Sequence, residues 1–205
     1  MTVVQFWNEM YQDLTAPVAF SSGAPSPEVV DVAGRLPAGS RAIDIGCGDG
    51  RHALYLAEQG FVVDAIDISP VGIAKTQQFA VERGLAINAS VQDIRRYTFT
   101  TNYHLIVSLG TLHLVEREYW QPFLQAIQAH TCPGGYNVVG IMTDAAPAPD
   151  DQRDYFIGLL KEGELFTYYA GWEIISQRSI NFHDEHPGGI RHHHAGDVLL
   201  ARKVQ

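Results

Sequence analysis

The segment Asp44-Ile45-Gly46-Cys47-Gly48-Asp49-Gly50 constrains the fold of this chain more than any other stretch. An apolar run, AIDI (42–45), leads into it, and a helical period through Leu54, Leu56 and Ala57 leaves it. Closely spaced glycines at a strand-to-helix turn reach backbone conformations closed to other residues, and let a ligand approach where a Cβ would clash. In open α/β sheets this is the switch point where ligands bind. A dinucleotide fingerprint needs a glycine three places after Gly48, and this chain has Arg51 there. The loop therefore suits a ligand without a pyrophosphate.

The alternation of apolar runs and helical periods continues downstream. A second strand is expected over 61–68, with a helix from Pro70 to about Arg83 that is ended by Gly84. Further strands are expected over 87–93 and 104–109, then a helix over 116–130, a turn at PGG (133–135) and a fifth strand over 136–142. Near-continuous apolar strands joined by helices imply a parallel sheet covered on both faces. Beyond a polar loop (143–154), a helix is expected over 156–169, closed by Gly171. Two strands, 172–182 and 191–203, then join across DEHPGG. At the other end, residues 3–14 read as an amphipathic helix with Val3, Phe6, Trp7, Met10 and Leu14 on one stripe. A loop over 19–27 follows, and Ser26 caps a helix that starts at Pro27 and runs to about Leu36.

Two acids sit where strands of such a sheet end. Asp67 closes strand two, and a carboxylate there can accept from both hydroxyls of a ribose. The alternative, that Asp67 caps the next helix, is weakened by Ser69-Pro70, a better cap with proline at the first helical position. Asp93 closes strand three; it can accept from an adenine amino group, with Ile68 and Ile94 on either side of the ring, or simply start a turn. Asp44 is either a ligand acid or a structural one that bonds loop amides.

Composition narrows the partners. With 14 basic against 23 acidic residues the net charge is −9, and no basic run is present, which argues against nucleic acid. No stretch approaches the ~20 apolar residues of a membrane span. Two isolated cysteines, Cys47 and Cys132, are too few for a stapled secreted domain, so a cytoplasmic protein with a small-molecule substrate is expected. The sequence is silent on oligomeric state.

These residues in this order resemble the class I methyltransferases that use S-adenosylmethionine (SAM), through DIGCGDG, AIDIS and VQDI. More narrowly, DIGCGDGRHALYLAEQGFVVDAIDIS, PGGYNVV, KEGELFTYYAGWE and the ending LLARK resemble the tellurite-resistance methyltransferases of the TehB type. The resemblance implies one α/β domain, Rossmann-like, with a seven-stranded, mostly parallel sheet, an antiparallel C-terminal strand and helices on both faces. Residues 1–36 would be a helical lid, 41–142 the SAM-binding core, and 143–205 a substrate-side loop, helix and closing hairpin. The cofactor would be held by Tyr11, Asp44, Gly46, Gly48, Arg51, Asp67, Ile68, Asp93, Ile94 and Leu109, with Tyr11 and Arg51 toward the methionine carboxylate. The product would be S-adenosylhomocysteine (SAH). The expected acceptor is a small molecule: a thiol, or a selenium or tellurium compound. The alternatives are O- or N-methylation assisted by a histidine base, and a SAM-binding regulator without turnover.

The candidates for the chemistry lie near the hairpin. Of nine histidines, five fall between 183 and 194. Strand alternation puts His192 and His194 on one face and His193 on the other. Three readings stand open: a zinc site with His183, a polar edge strand, or a substrate site in which an imidazole orients an anion or takes a proton. No metal is expected. In the family, His183 matches a histidine and Arg191 a basic position, while Asp184 and Ala195 replace arginines. His183, Arg191 and His194 are therefore the expected catalytic group, with His113 as a further pocket residue.

Overall fold

The computed structural model describes residues 2–13, 23–186 and 190–204, with the backbone alone at 184–186 and 190. Leu14, residues 19–22 of the expected 19–27 loop and residues 187–189 lie outside the described residues.

Seven strands form one sheet: β1 (Arg41–Ile45), β2 (Val62–Asp67), β3 (Ile87–Val91), β4 (Tyr103–Leu109), β5 (Thr131–Met142), β6 (Glu173–His186) and β7 (Ile190–Arg202). Their order is β3-β2-β1-β4-β5-β7-β6, and β7 alone runs against its neighbours β5 and β6. The helices are α1 (Val3–Met10), α2 (Pro27–Arg35), α3 (Arg51–Glu58), α4 (Pro70–Glu82), α5 (Trp120–Ala129) and α6 (Glu164–Thr167).

Period-two alternation divides the core between the two faces of the sheet. Ile43 and Ile45 of β1, Ile106 of β4 and Val139 of β5 pack with Trp120, Leu124 and Ile127 of α5. Ala42, Leu105, Val107 and Val138, one place along in each strand, pack instead with Val29 and Val32 of α2 and Ala53 and Leu56 of α3. The central strands β1 and β4 are buried along almost their whole length because both faces are covered. Helix starts follow the sequence signals: Ser69 Oγ accepts from Gly72 N at 3.0 Å ahead of Pro70, and Ser26 Oγ accepts from Val29 N at 3.4 Å ahead of Pro27.

Three expectations need correction. The helix over 156–169 is confined to Glu164–Thr167. Upstream of it, Leu160 forms a parallel bridge with Thr143, and a Cβ at Gly158 would lie 2.5 Å from the Trp120 ring, so that segment packs flat on the core. Gly163, in the left-handed region at φ +82°, then sets the start of α6. The helix over 116–130 begins only at Trp120, after two 3₁₀ turns, Leu112–Leu114 and Arg117–Tyr119. PGG is not a turn before β5 but an irregularity within it: Tyr103 pairs with Thr131, and the next pair is Leu105 with Tyr136.

Candidate active site

The C-terminal ends of β1, β2 and β4 open on a cavity of about 990 Å³. Its floor is the glycine loop. Gly46, Gly48 and Gly50 all have positive φ, and the space where a side chain would stand is taken by Thr111, Tyr11 and Thr76. A Cβ on Gly46 would lie 1.9 Å from Thr111 Oγ1, and one on Gly48 would lie 2.5 Å from the Tyr11 hydroxyl.

Asp67 holds this floor in place. Its Oδ2 accepts from Gly48 N at 2.9 Å and its Oδ1 from Ser69 N at 2.8 Å, which ties the end of β2 to the loop after β1. Burial pushes its carboxyl up, and the amides of Ser69, Gly48 and Ile68 pull it back. The capping of α4 is left to Ser69, as the Ser-Pro pair implied. Asp44 sits behind the loop rather than on the cavity wall. It is 1% exposed, and its Oδ2 accepts from Ala53 N at 3.1 Å in the first turn of α3. Burial raises its carboxyl to about 7, opposed mainly by the Arg51 guanidinium.

The roof comes from two separate segments. Tyr11, just past α1, is buried, and Trp7 stacks on it at 5.5 Å between ring centroids. Asn8 Oδ1 accepts from Ser69 Oγ at 2.7 Å, fixing α1 to the start of α4. Phe6 stacks on Tyr155 at 4.7 Å, so the N-terminal helix and the loop after β5 close over the cavity together.

Tyr11, Gly46, Gly48, Arg51, Asp67, Ile68, Asp93, Ile94, Leu109, His183 and His194 all line the cavity. Asp44 does not, for the reason given. Arg191 does not either: it shares the exposed face of β7 with His193, opposite His192 and His194, so it is not placed to meet a ligand in this cavity. His183 is exposed and packs against His193 at 4.9 Å. The zinc reading loses its geometry, since His183 pairs with the face that His192 and His194 do not share. Among the described residues no group of three or more metal-ligating side chains converges. Asp93 is gripped by Arg95 through both oxygens at 2.7–3.0 Å, so an adenine amino group would meet an ion pair there.

Residues that the sequence reading missed complete the far end. Phe156 stacks on His194 at 5.6 Å and lies 4.7 Å from the His113 ring. Glu28, buried, takes two bonds from Arg178 on a single oxygen at 2.7 and 2.9 Å. An aromatic in an expected helix and an acid in a capped first turn carry no local mark of a site. No helix among the described residues is long and apolar enough to cross a membrane.

The family model described as tellurite resistance protein TehB matches residues 20–188, which takes in the glycine loop, Asp67 and Asp93. The probable S-adenosyl-L-methionine-dependent methyltransferase TehB of Haemophilus influenzae strain 10810 is 31% identical over 180 residues, 86% of this chain and 61% of that protein. A 2-heptyl-1-hydroxyquinolin-4(1H)-one methyltransferase of Mycobacteroides abscessus is 30% identical over 168 residues, 81% of this chain and 73% of that protein. The crystal structure of TehB from Haemophilus influenzae superposes with a TM-score of 0.77 at 29% identity, covering 87% of this chain and 62% of that one. The chain thus spans 61% and 64% of the length of two Haemophilus TehB proteins. With a family model matched over residues 20–188, most of its length, the chain belongs to the TehB family.

Proposed function

We propose that this chain transfers the methyl group of SAM to a small, neutral acceptor. The observation that carries the reading is the continuity of one cavity, from Gly46, Gly48 and Asp67 to the wall formed by His113, Phe156 and His194. SAM supplies an electrophilic methyl group on a sulfonium. Asp67 is proposed to accept from its ribose hydroxyls, Ile68 and Ile94 to flank the adenine with Asp93 at its edge, and Tyr11 and Arg51 to meet the methionine carboxylate. Leu109 and the glycines would shape the passage between. Asp44 contributes charge through the loop. The aromatic roof excludes water, and alignment in a dry site is most of what such a transfer requires.

Charge pairing favours a neutral acceptor over an oxyanion. Arg178 is bound to Glu28, Arg95 to Asp93, and Arg191 faces outward. The Mycobacteroides relative is named for a bicyclic aromatic that carries a hydroxyl, which fits a cavity walled by Phe156, Phe182 and Ile141. SAH release should be measured with tellurite, selenite, aliphatic and aromatic thiols, and hydroxylated heteroaromatics, each with and without a strong chelator. A neutral aromatic acceptor is expected to outpace tellurite at least tenfold, with the chelator making no difference. Fastest turnover with tellurite would restore the oxyanion reading. SAM binding without SAH from any acceptor would leave a regulator.

Asp44 adds a pH dependence. A sulfonium brought near it favours the ionised carboxylate, so binding releases a proton below about pH 7. SAM affinity is expected to rise about tenfold between pH 6 and 8, as a single group titrating near 7 dictates. Asp44→Asn should flatten that rise in calorimetry. The sign for the protein alone is opposite. The folded chain holds this proton more tightly than the unfolded one, so the contribution to stability falls as pH climbs from 3.8 through 7.

A further inference from the structure

His113 is held more firmly than a chance wall residue. It lies in the 3₁₀ turn Leu112–Leu114 after β4, where Leu112 is fully buried. Trp120 Nε1 donates to Leu112 O at 2.9 Å, and Gly158 N donates to His113 O at 3.0 Å, so its backbone is pinned from both sides. His113 is 3% exposed and lines the cavity. Phe156 packs on its ring at 4.7 Å. Yet Nδ1 is buried with no hydrogen-bond partner. Buried polar atoms are nearly always paired, and an unpaired one in a cavity wall calls for an explanation, of which a catalytic role is one.

We propose that His113 is the catalytic base for an aromatic hydroxyl acceptor, taking the hydroxyl proton as the oxygen takes the methyl group. This rests on the methyl-transfer reading above. In the step, the acceptor oxygen forms a bond to the methyl carbon as the carbon–sulfur bond breaks. The bonding pair stays on sulfur as the thioether of SAH, and the proton moves from oxygen to an imidazole nitrogen of His113. Phe156 fixes the ring plane, and His194 behind Phe156 closes the wall. Burial, with a smaller contribution from His194, lowers the His113 imidazole to about 3, so it stands neutral with a lone pair ready to accept. So weak a base suits an acidic hydroxyl, phenolic or N-hydroxy, rather than an aliphatic alcohol. A thiol, largely ionised without help, needs no such group.

Two matched probes separate these roles: 2-naphthol and naphthalene-2-thiol, with wild type and His113→Gln. The naphthol rate is expected to fall roughly a hundredfold, within the range of a lost general base, and at least tenfold further than the thiol rate. Independently of turnover, 2-naphthol added to SAH-loaded wild type should shift the His113 imidazole nitrogens in ¹⁵N NMR. Equal losses for both probes, or an undiminished naphthol rate, would overturn the assignment. If His113→Gln fails to fold, unmoved imidazole signals in the wild type would overturn it alone. Wild type that methylates the thiol and not the naphthol removes the acceptor class but leaves methyl transfer standing. Absence of SAH with every acceptor, despite SAM binding, removes methyl transfer itself.

Discussion

Gly46→Ala is expected to abolish measurable SAM binding and to lower the melting temperature. Two independent effects combine. At φ +74° the backbone is in the left-handed region, where a Cβ costs about 1–2 kcal/mol. The new methyl group would also lie 1.9 Å from Thr111 Oγ1 and 2.9 Å from both Thr111 Cβ and Cγ2. Thr111 cannot swing aside freely, because its hydroxyl donates to Ile45 O at 3.1 Å, beside the same loop. The backbone cost alone corresponds to a drop of roughly 2–8 °C for a domain of this size. Relieving the clash pushes the floor into the cavity, so affinity should suffer more than stability. The double variant Gly46→Ala/Thr111→Ala should recover part of the melting temperature and little of the SAM binding. Wild-type affinity in Gly46→Ala would show that the loop does not meet the ligand.

Where the sequence reading succeeded, the signal was local. The near-continuous apolar runs AIDI, HLIVSL and YNVVGIM are the signature of strands covered on both faces, and Ser26-Pro27 and Ser69-Pro70 start the helices they announce. The glycine loop was legible because positive φ leaves few residues to choose from. It failed where contacts come from far along the chain. The apolar spacing of 156–169 suits a helix, but Gly158 is needed flat beneath Trp120, a contact no window of the sequence contains. The His113 pocket is likewise completed by Phe156, from beyond β5. Arg191 is a different failure. The alternation that pairs His192 with His194 also puts Arg191 on the face of His193, so its exclusion from the cavity was already implied. Asp44 could not be separated by spacing from an acid in contact with ligand; only the bond from Ala53 N shows that it stands behind the loop.

Asp67→Ala is expected to weaken SAM and SAH binding by one to two orders of magnitude and to lower the melting temperature. The residue carries two loads. In the protein itself it accepts the amides of Gly48 and Ser69, and removing it leaves the Gly48 N–H buried and unpaired, at about 1–3 kcal/mol. Toward the ligand, losing charge-assisted bonds to ribose hydroxyls costs about 1.5–3 kcal/mol more. The ligand-side loss corresponds to a factor of roughly 10–100 in affinity at 1.4 kcal/mol per decade, while the loop-side loss is read in the melting temperature. Calorimetry with SAH and with 2′-deoxy-SAH separates the loads. Wild type should bind the deoxy compound more weakly than SAH, whereas Asp67→Ala should bind the two alike, because the partner of the missing hydroxyl is already gone. If both proteins discriminate equally, Asp67 serves the loop and not the ribose. If Asp67→Ala keeps wild-type affinity for SAH and an unchanged melting temperature, neither load exists, and the carboxylate at the end of β2 is incidental to the site.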